Sequence, residues 1–190
     1  MTEQLNSPQV IAAMIAAAVA LLAAISTIII ATSQRRAERR QRRADRLQLQ
    51  LSDLYVPLSL LRSESRHLRG LLPEKDEHSG ERWRLVDHVE EIKNSADSEF
   101  KSYVTRILAI WREIDELLRK HGGLLVELPP AKVYADALSH AAQLRVSWKV
   151  GKNQGSDDRF PYPDQLDTQI ASDISVIREQ LKKLGVFTGP

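Results

Sequence analysis

Residues 10–46 read VIAAMIAAAVALLAAISTIIIATSQRRAERRQRRADR: twenty-three residues without a charge, then seven arginines within the next fourteen. At a rise of about 1.5 Å per residue, a helix over Val10–Thr32 is roughly 34 Å long, enough to cross a hydrocarbon core of about 30 Å with some tilt. A core helix of a small soluble domain is seldom apolar on every face over such a length. A cleavable signal peptide requires a basic leader and an apolar core of about 7–15 residues. Here the flank TEQLNSPQ has no Lys or Arg, and the apolar run is longer. The sequence therefore predicts a transmembrane helix over 10–32, preceded by a short extracytoplasmic tail, 1–9.

The arginines set the expected orientation. Lys and Arg close to the end of a span bias that end toward the cytoplasm, so everything after Arg35 is expected inside and the N-terminus outside. On a helix at 100° per residue, Arg35, Arg36, Arg39, Arg40, Arg42, Arg43 and Arg46 fall within an arc of roughly 160°, opposite Gln34, Ala37, Gln41 and Ala44. This juxtamembrane segment, 33–46, carries a one-sided basic stripe suited to lipid headgroups. Nucleic acid is the weaker reading, because no aromatic side chains are interleaved for base stacking.

The whole chain of 190 residues has a net charge of +2, but the distribution is uneven. Residues 35–46 carry seven Arg against Glu38 and Asp45, while the 144 residues that follow hold twenty Lys or Arg against twenty-two Asp or Glu. The basicity is local, unlike the broad basic face of a nucleic-acid-binding fold. There is no cysteine, which excludes disulfides, thiolate zinc sites and a cysteine nucleophile.

Inside the span, Ala12, Ala16, Ala20 and Ala24 recur every four residues, a spacing that lets two helices approach closely. Nine alanines in twenty-three positions also produce such a pattern without selection for packing.

Beyond the arginines, 47–190 is expected to form a cytoplasmic helical domain. Leu47, Leu51, Leu54, Leu58, Leu61, Leu68 and Leu72 follow a heptad broken at Ser65, and Pro57 should kink this helix or start a new one. The helix is predicted to end near Gly70, before Pro73 and the loop PEKDEHSG. A second helical stretch, Glu81–His121, is broken near Asn94–Ser95 and carries Phe100, Val104, Ile107, Trp111, Ile114 and Leu118 on one face. Gly122 and Gly123 stop it. A third helix runs from about Pro130 to Trp148 with Tyr134, Leu138, Ala141 and Trp148 on one face. After the loop VGKNQGSDDRFPYP, a last helix opens at Asp164 as N-cap and presents Leu166, Ile170, Ile174, Ile177, Leu181 and Leu184 before Gly185. No segment alternates as a strand would, apart from the brief LLVEL. The fold class read from these signals is all-α: an N-terminal transmembrane helix followed by an antiparallel helical bundle of about four helices. The heptads can pair within one chain or, as a coiled coil, between chains.

Signals for chemistry are few. His67, His78, His88, His121 and His140 form no His-Glu-x-x-His and no i, i+4 pair, so no metal is expected. Asp87, His88 and Glu91 read as a solvated cluster on an amphipathic helix. GKNQGS lacks the order of a phosphate-binding loop, and no nucleophile elbow occurs. Trp83, Trp111 and Trp148 read as core or interface anchors. No catalytic residue and no cofactor is assigned, and the chain is not expected to be an enzyme.

The order of an N-terminal span, a basic patch and LYVPL at 54–58 resembles a loose group of uncharacterised small bacterial single-pass membrane proteins, in which a Leu-Tyr-x-Pro-Leu stretch opens a helical cytoplasmic domain. His140, Trp148 and Phe160-Pro161 are similar to it as well. The resemblance implies a bacterial inner (plasma) membrane and a topology, and no activity; Tyr55, Pro57, His140 and Phe160 would carry shared structure. The expected function is a single-pass, membrane-anchored interaction module whose partners are the lipid bilayer and either a cytoplasmic protein or another copy. The alternative is an oligomerising membrane-acting effector, a toxin or defence component, which the alanine series motivates.

Overall fold

The computed structural model describes residues 8–73, 83–127, 131–151 and 162–186, without the side chains of residues 8–11 and 13. Among the described residues every regular element is helical and no strand occurs. The chain divides into two compact units, Met1–Asp45 and Arg46–Pro190. The loop PEKDEHSG after its first residue, GKNQGS after its glycine, Pro130, and the Phe160-Pro161 pair lie outside the described residues.

Helix α1 runs Pro8–Gln50. Nothing in its sequence after Pro8 breaks a helix, and Ala, Leu, Gln, Glu and Arg are strong helix formers. From Met14 to Ile30 every residue is exposed, although the helix reaches a mean hydropathy of 2.6 over eighteen residues, none of them buried. The hydroxyls of this stretch turn back on the backbone: Ser26 and Thr27 donate to the carbonyls of Leu22 and Ala23, both at 2.8 Å, and Thr32 and Ser33 to those of Ile29 and Ile30. Among the described residues one helix is thus long and apolar enough to cross a membrane, and its side-chain hydroxyls are satisfied within it.

Proline ends this helix and shapes its successor. Pro57 cannot donate to the carbonyl four residues back, and its ring crowds that carbonyl. The chain responds with a π turn over Leu51–Tyr55, closed by the Val56 N–H on the Leu51 carbonyl, and α2 then runs Val56–Arg69 with Pro57 in its first turn. The wider turn alters the leucine seam. Leu47, Leu54, Leu58 and Leu72 are buried as the heptad predicts, and Ser65 faces inward at its seam position, but Leu51, Leu61 and Leu68 are only half-buried, and Arg62 occupies the inner face of α2.

Of the stretch predicted as one broken helix from Glu81, residues 81–82 lie outside the described residues and residues 83–84 are not helical. Leu85–Asp87 forms a 3-10 turn, α3 is short, Val89–Asn94, and α4 runs Ser98–His121. The break falls at Ser95, as expected, because Asp97 caps α4 by accepting from the N–H groups of Glu99 and Phe100 at 2.9 and 3.0 Å. Helix α4 buries Val104, Ile107, Ile110, Trp111, Ile114 and Leu118. Of LLVEL, Leu124 closes a 3-10 turn, Gly122–Leu124, and residues 125–127 form no strand.

Helix α5, Lys132–Val150, ends on Gly151 in the left-handed conformation, φ 72°. Its inner face is Tyr134, Ala137, Ala141, Leu144 and Ser147, one step round from the predicted face; Leu138 and Trp148 are half-buried. The N-cap position of helix α6, Leu166–Lys183, is held by Gln165 and not by Asp164 as predicted; Asp164 sits in the preceding turn, its N–H on the Tyr162 carbonyl. The inner face of α6 is Leu166, Ile170, Asp173, Ile177 and Leu181, with Asp173 where an apolar residue was expected and Ile174 and Leu184 half-buried. In the unit Arg46–Pro190, α4 packs against α2 and α5, and α6 against α2, α5 and the π turn.

Candidate functional site

The seven arginines of the predicted stripe lie on α1. Arg35, Arg36, Arg39, Arg40, Arg42, Arg43 and Arg46 are all exposed, and Ala44, on the opposite side, is buried at 1% exposure. Glu38 reaches Arg42 at 4.0 Å, and Gln41 donates to Asp45 at 2.8 Å. A surface ion pair of that length contributes little, so the stripe keeps its positive character. Ala12, Ala16, Ala20 and Ala24 lie on the same helix, also exposed.

A buried carboxylate joins the inner faces of the second unit. Asp173 Oδ2 accepts from the Tyr134 hydroxyl at 2.6 Å and the Tyr55 hydroxyl at 2.9 Å, and Oδ1 accepts from the Gln169 amide at 2.8 Å. Tyr55 in turn accepts the Val126 N–H at 3.0 Å. A buried charge needs donors on its lone pairs, and Asp173 has three. Burial, then the carboxylate, holds the Tyr134 phenol far above its ordinary range; Tyr55 is raised chiefly by burial. This network fixes the π turn, α5 and α6 against each other. Its carboxylate and both phenols are buried, and it reads as structure.

Arg62 forms the second constellation. Its side chain is 4% exposed, forks onto Asp167 through Nε at 2.9 Å and Nη2 at 3.2 Å, and lies 5.0 Å from the Trp111 ring centroid and 5.8 Å from that of Tyr162. Planar, bidentate and stacked, this is an arginine position that lysine would not fill. Arg66 adds a longer contact to Asp167, 3.4 Å.

His140 stands beside this group. Its ring meets Trp111 edge to face at 4.7 Å and Tyr162 at 5.0 Å. Burial, then the positive charges of Arg62 and Arg84, depress its pKa from 6.5 to about 4, so the imidazole is neutral at pH 7. Its Nδ1 is buried and makes no hydrogen bond. Next to it lies a cavity of about 110 Å³, partly open to solvent, with Trp83, Trp111, Tyr162, Ser65, Gln143 and His140 among its walls.

The cluster Asp87, His88 and Glu91 is less solvated than its spacing suggests. His88 stacks on Trp83 at 5.1 Å with ring planes 6° apart, its Nδ1 is 2.8 Å from Glu91, and Asp87 accepts a fork from Arg84 at 2.7 and 3.1 Å. The helix predicted there is a 3-10 turn, which swings His88 inward. Trp83 and Trp111 are buried, whereas Trp148 is half-buried beneath Lys93, 5.2 Å from its ring. Among the described residues no three His, Asp or Glu side chains converge as metal ligands.

Sequence reasoning missed Asp173, Arg62 and the setting of His140. The signals were present: a charged residue at an otherwise apolar seam position in α6 and in α2, and a histidine four residues before the Leu144 core position. Of the residues carrying the family resemblance, Tyr55 is a core hydrogen-bonding residue, Pro57 opens α2, and His140 lines the cavity. No protein-family model, curated protein or solved structure matches the chain.

Proposed function

We propose that this chain is a single-pass, membrane-anchored helical interaction module. Val10–Thr32 spans the bilayer, the arginines of 33–46 hold the following end in the cytoplasm, and 47–190 forms an antiparallel bundle of about four helices that docks a cytoplasmic protein or another copy. No catalytic step is assigned to it. One observation carries the reading: the most apolar stretch of the chain, mean hydropathy 2.6, is wholly unburied. A core helix would be covered, and water alone is a poor environment for so many exposed Ile, Leu and Val side chains. The inward-turned hydroxyls of Ser26, Thr27 and Thr32 fit the same environment, since lipid supplies no hydrogen-bond partners. Arginines within about 15–20 residues of the span support the orientation.

The chain has no cysteine, so single reporters are clean. Ser7→Cys and Ser156→Cys variants are expected to stay in the membrane pellet at alkaline pH. A membrane-impermeant maleimide should label only Ser7→Cys in intact cells with the outer barrier opened. Extraction at alkaline pH removes the anchor reading; labelling of Ser156→Cys alone reverses the orientation.

A second reading, an oligomerising membrane-acting effector, is favoured by the exposed Ala12, Ala16, Ala20 and Ala24 series on the proposed span. Ala16→Leu with Ala20→Leu should then abolish any effect of expression on growth, and an unchanged effect sinks it.

A further inference from the structure

The cavity walled by α2, α4, α5 and the Leu85–Asp87 turn holds two polar side chains that the fold leaves unpaired. Ser65 on α2 is 4% exposed and Gln143 on α5 is 8% exposed, and both are cavity walls. Among the described residues neither the Ser65 hydroxyl nor the Gln143 amide makes a hydrogen bond, and neither is sealed off as His140 Nδ1 and Ser147 Oγ are. Polar groups so deeply placed cost free energy until a partner fills them. A primary amide carries an acceptor and donors side by side, so its best single partner offers the complementary pair on one edge.

The other walls set the body and charge of a guest. Trp83 and Trp111 are buried indoles, and Tyr162 stands edge-on to Trp111 at 6.2 Å. Aromatic walls favour a flat ring beyond simple burial. Arg69 and Arg84 also line the cavity, but Arg69 donates to the carbonyls of Pro73 and Trp83, both at 2.8 Å, and Arg84 forks onto Asp87. Their bonds are spent on the protein itself, which argues for an uncharged guest. A volume of about 110 Å³ is smaller than the roughly 150 Å³ apolar cavity that takes benzene in an engineered protein. One ring is the limit.

We infer that the Gln143 amide and the Ser65 hydroxyl turn into this cavity and bind a small uncharged planar ring with a lactam edge, an N–H beside a C=O, of which 2-pyridone is the simplest case. Gln143 donates to the carbonyl and accepts from the N–H, Ser65 donates to the second lone pair of the carbonyl, and the ring lies among Trp83, Trp111 and Tyr162. The inference does not depend on the membrane-anchor reading, because every residue it uses lies between Ser65 and Tyr162.

The test uses the full chain in detergent micelles, with ¹⁵N in the tryptophan indoles and glutamine side-chain amides. 2-Pyridone, 4-pyridone and benzoate are titrated in turn, and Trp148, which is not among the cavity walls, reports partition into the micelle. 4-Pyridone has the same groups on opposite edges of its ring, so it cannot give both to one amide. 2-Pyridone should give saturable shifts at Gln143, Trp83 and Trp111 with Trp148 unmoved, and should bind about tenfold more tightly than 4-pyridone or benzoate. Gln143→Met, which keeps the length of the side chain without its amide, should lower 2-pyridone affinity about tenfold and bring the two isomers level. If that variant does not fold, the comparison of isomers in the unaltered chain still decides. Absence of a saturable response, as from a cavity holding water alone, overturns the inference. So do equal affinities for the two pyridones, shifts shared equally by Trp148, or benzoate binding as tight as that of 2-pyridone, which would make the arginines the anchor.

Discussion

Tyr134 places its hydroxyl 2.6 Å from Oδ2 of Asp173, across from α5 to α6, with both side chains sealed from solvent. A carboxylate at a seam position destabilises a core unless its oxygens are filled, and here the second phenol, Tyr55, and Gln169 complete the set. Removing the acceptor should therefore cost more than removing one donor. Asp173→Ala, which strands two phenols, is expected to lose about 3 kcal/mol, and Tyr134→Phe about 1.5 kcal/mol. Tyr55→Phe should lose about 2 kcal/mol, because it also strands the Val126 N–H. Urea midpoints of the full chain in detergent, with equal slopes, measure all three. Both phenols are raised in the fold. The unfolded chain alone then ionises them above pH of about 10, and stability should fall as pH rises past that point.

His140 supplies a pH dependence of opposite sense. Its folded pKa is about 4 against an ordinary 6.5. As pH falls below 6.5 the unfolded chain takes up the proton first, so the contribution to stability is complete above 6.5 and is lost on the way down to about pH 4. One proton sets the limit at about 1.4 kcal/mol per pH unit. Carboxylates titrate in the same window, so the informative quantity is the difference between the unaltered chain and His140→Phe. That difference should grow steadily from about pH 6.5 to about 4.5; parallel curves would mean that the ring is protonated in the fold.

Arg62 tests whether a part-buried ion pair here is held by geometry or by charge. Arg62→Lys keeps the charge but loses the fork on Asp167 and the stacking on Trp111, and should cost about 1.5 kcal/mol. Arg62→Ala leaves Asp167 with only the longer Arg66 contact and should cost about 3 kcal/mol. A double-mutant cycle with Asp167→Ala is expected to return a coupling of about 2 kcal/mol. Coupling near zero would show Arg62 to be retained for its packing on Trp111 and Tyr162 alone.

Sequence spacing located the apolar helix, the break at Ser95 and the α4 stripe, because each follows from one element's own periodicity or cap. It misjudged positions where another element decides. Arg62 displaces Leu61 from the inner face because Asp167, more than one hundred residues on, supplies its fork. Asp173 occupies a core position because Tyr55 and Tyr134 converge on it from two other segments. Ser147 faces inward because the predicted face of α5 was laid out from apolar residues only, whereas Ser65 faces inward at the seam position where the heptad is broken. The candidate site was legible as isolated letters, His140 and Trp111, but their meeting depends on how α4 and α5 pack, which no local pattern encodes.

The arginines near the apolar helix are not expected to contribute equally. If the helix continues upright from the bilayer, Arg35 lies about 5 Å beyond Thr32, Arg40 about 12 Å and Arg46 about 21 Å. Anionic headgroups are felt over a screening length of about 8 Å, and a basic residue close to the surface contributes about 1 kcal/mol. Replacing Arg35, Arg36, Arg39 and Arg40 by Gln should therefore loosen the orientation, so that Ser7→Cys labelling from outside drops to about half or less. The same replacement of Arg42, Arg43 and Arg46 should leave labelling nearly complete. Equal loss from both sets would mean that orientation follows the number of arginines and not their distance from the lipid surface. In that case the outer three would share the topogenic role.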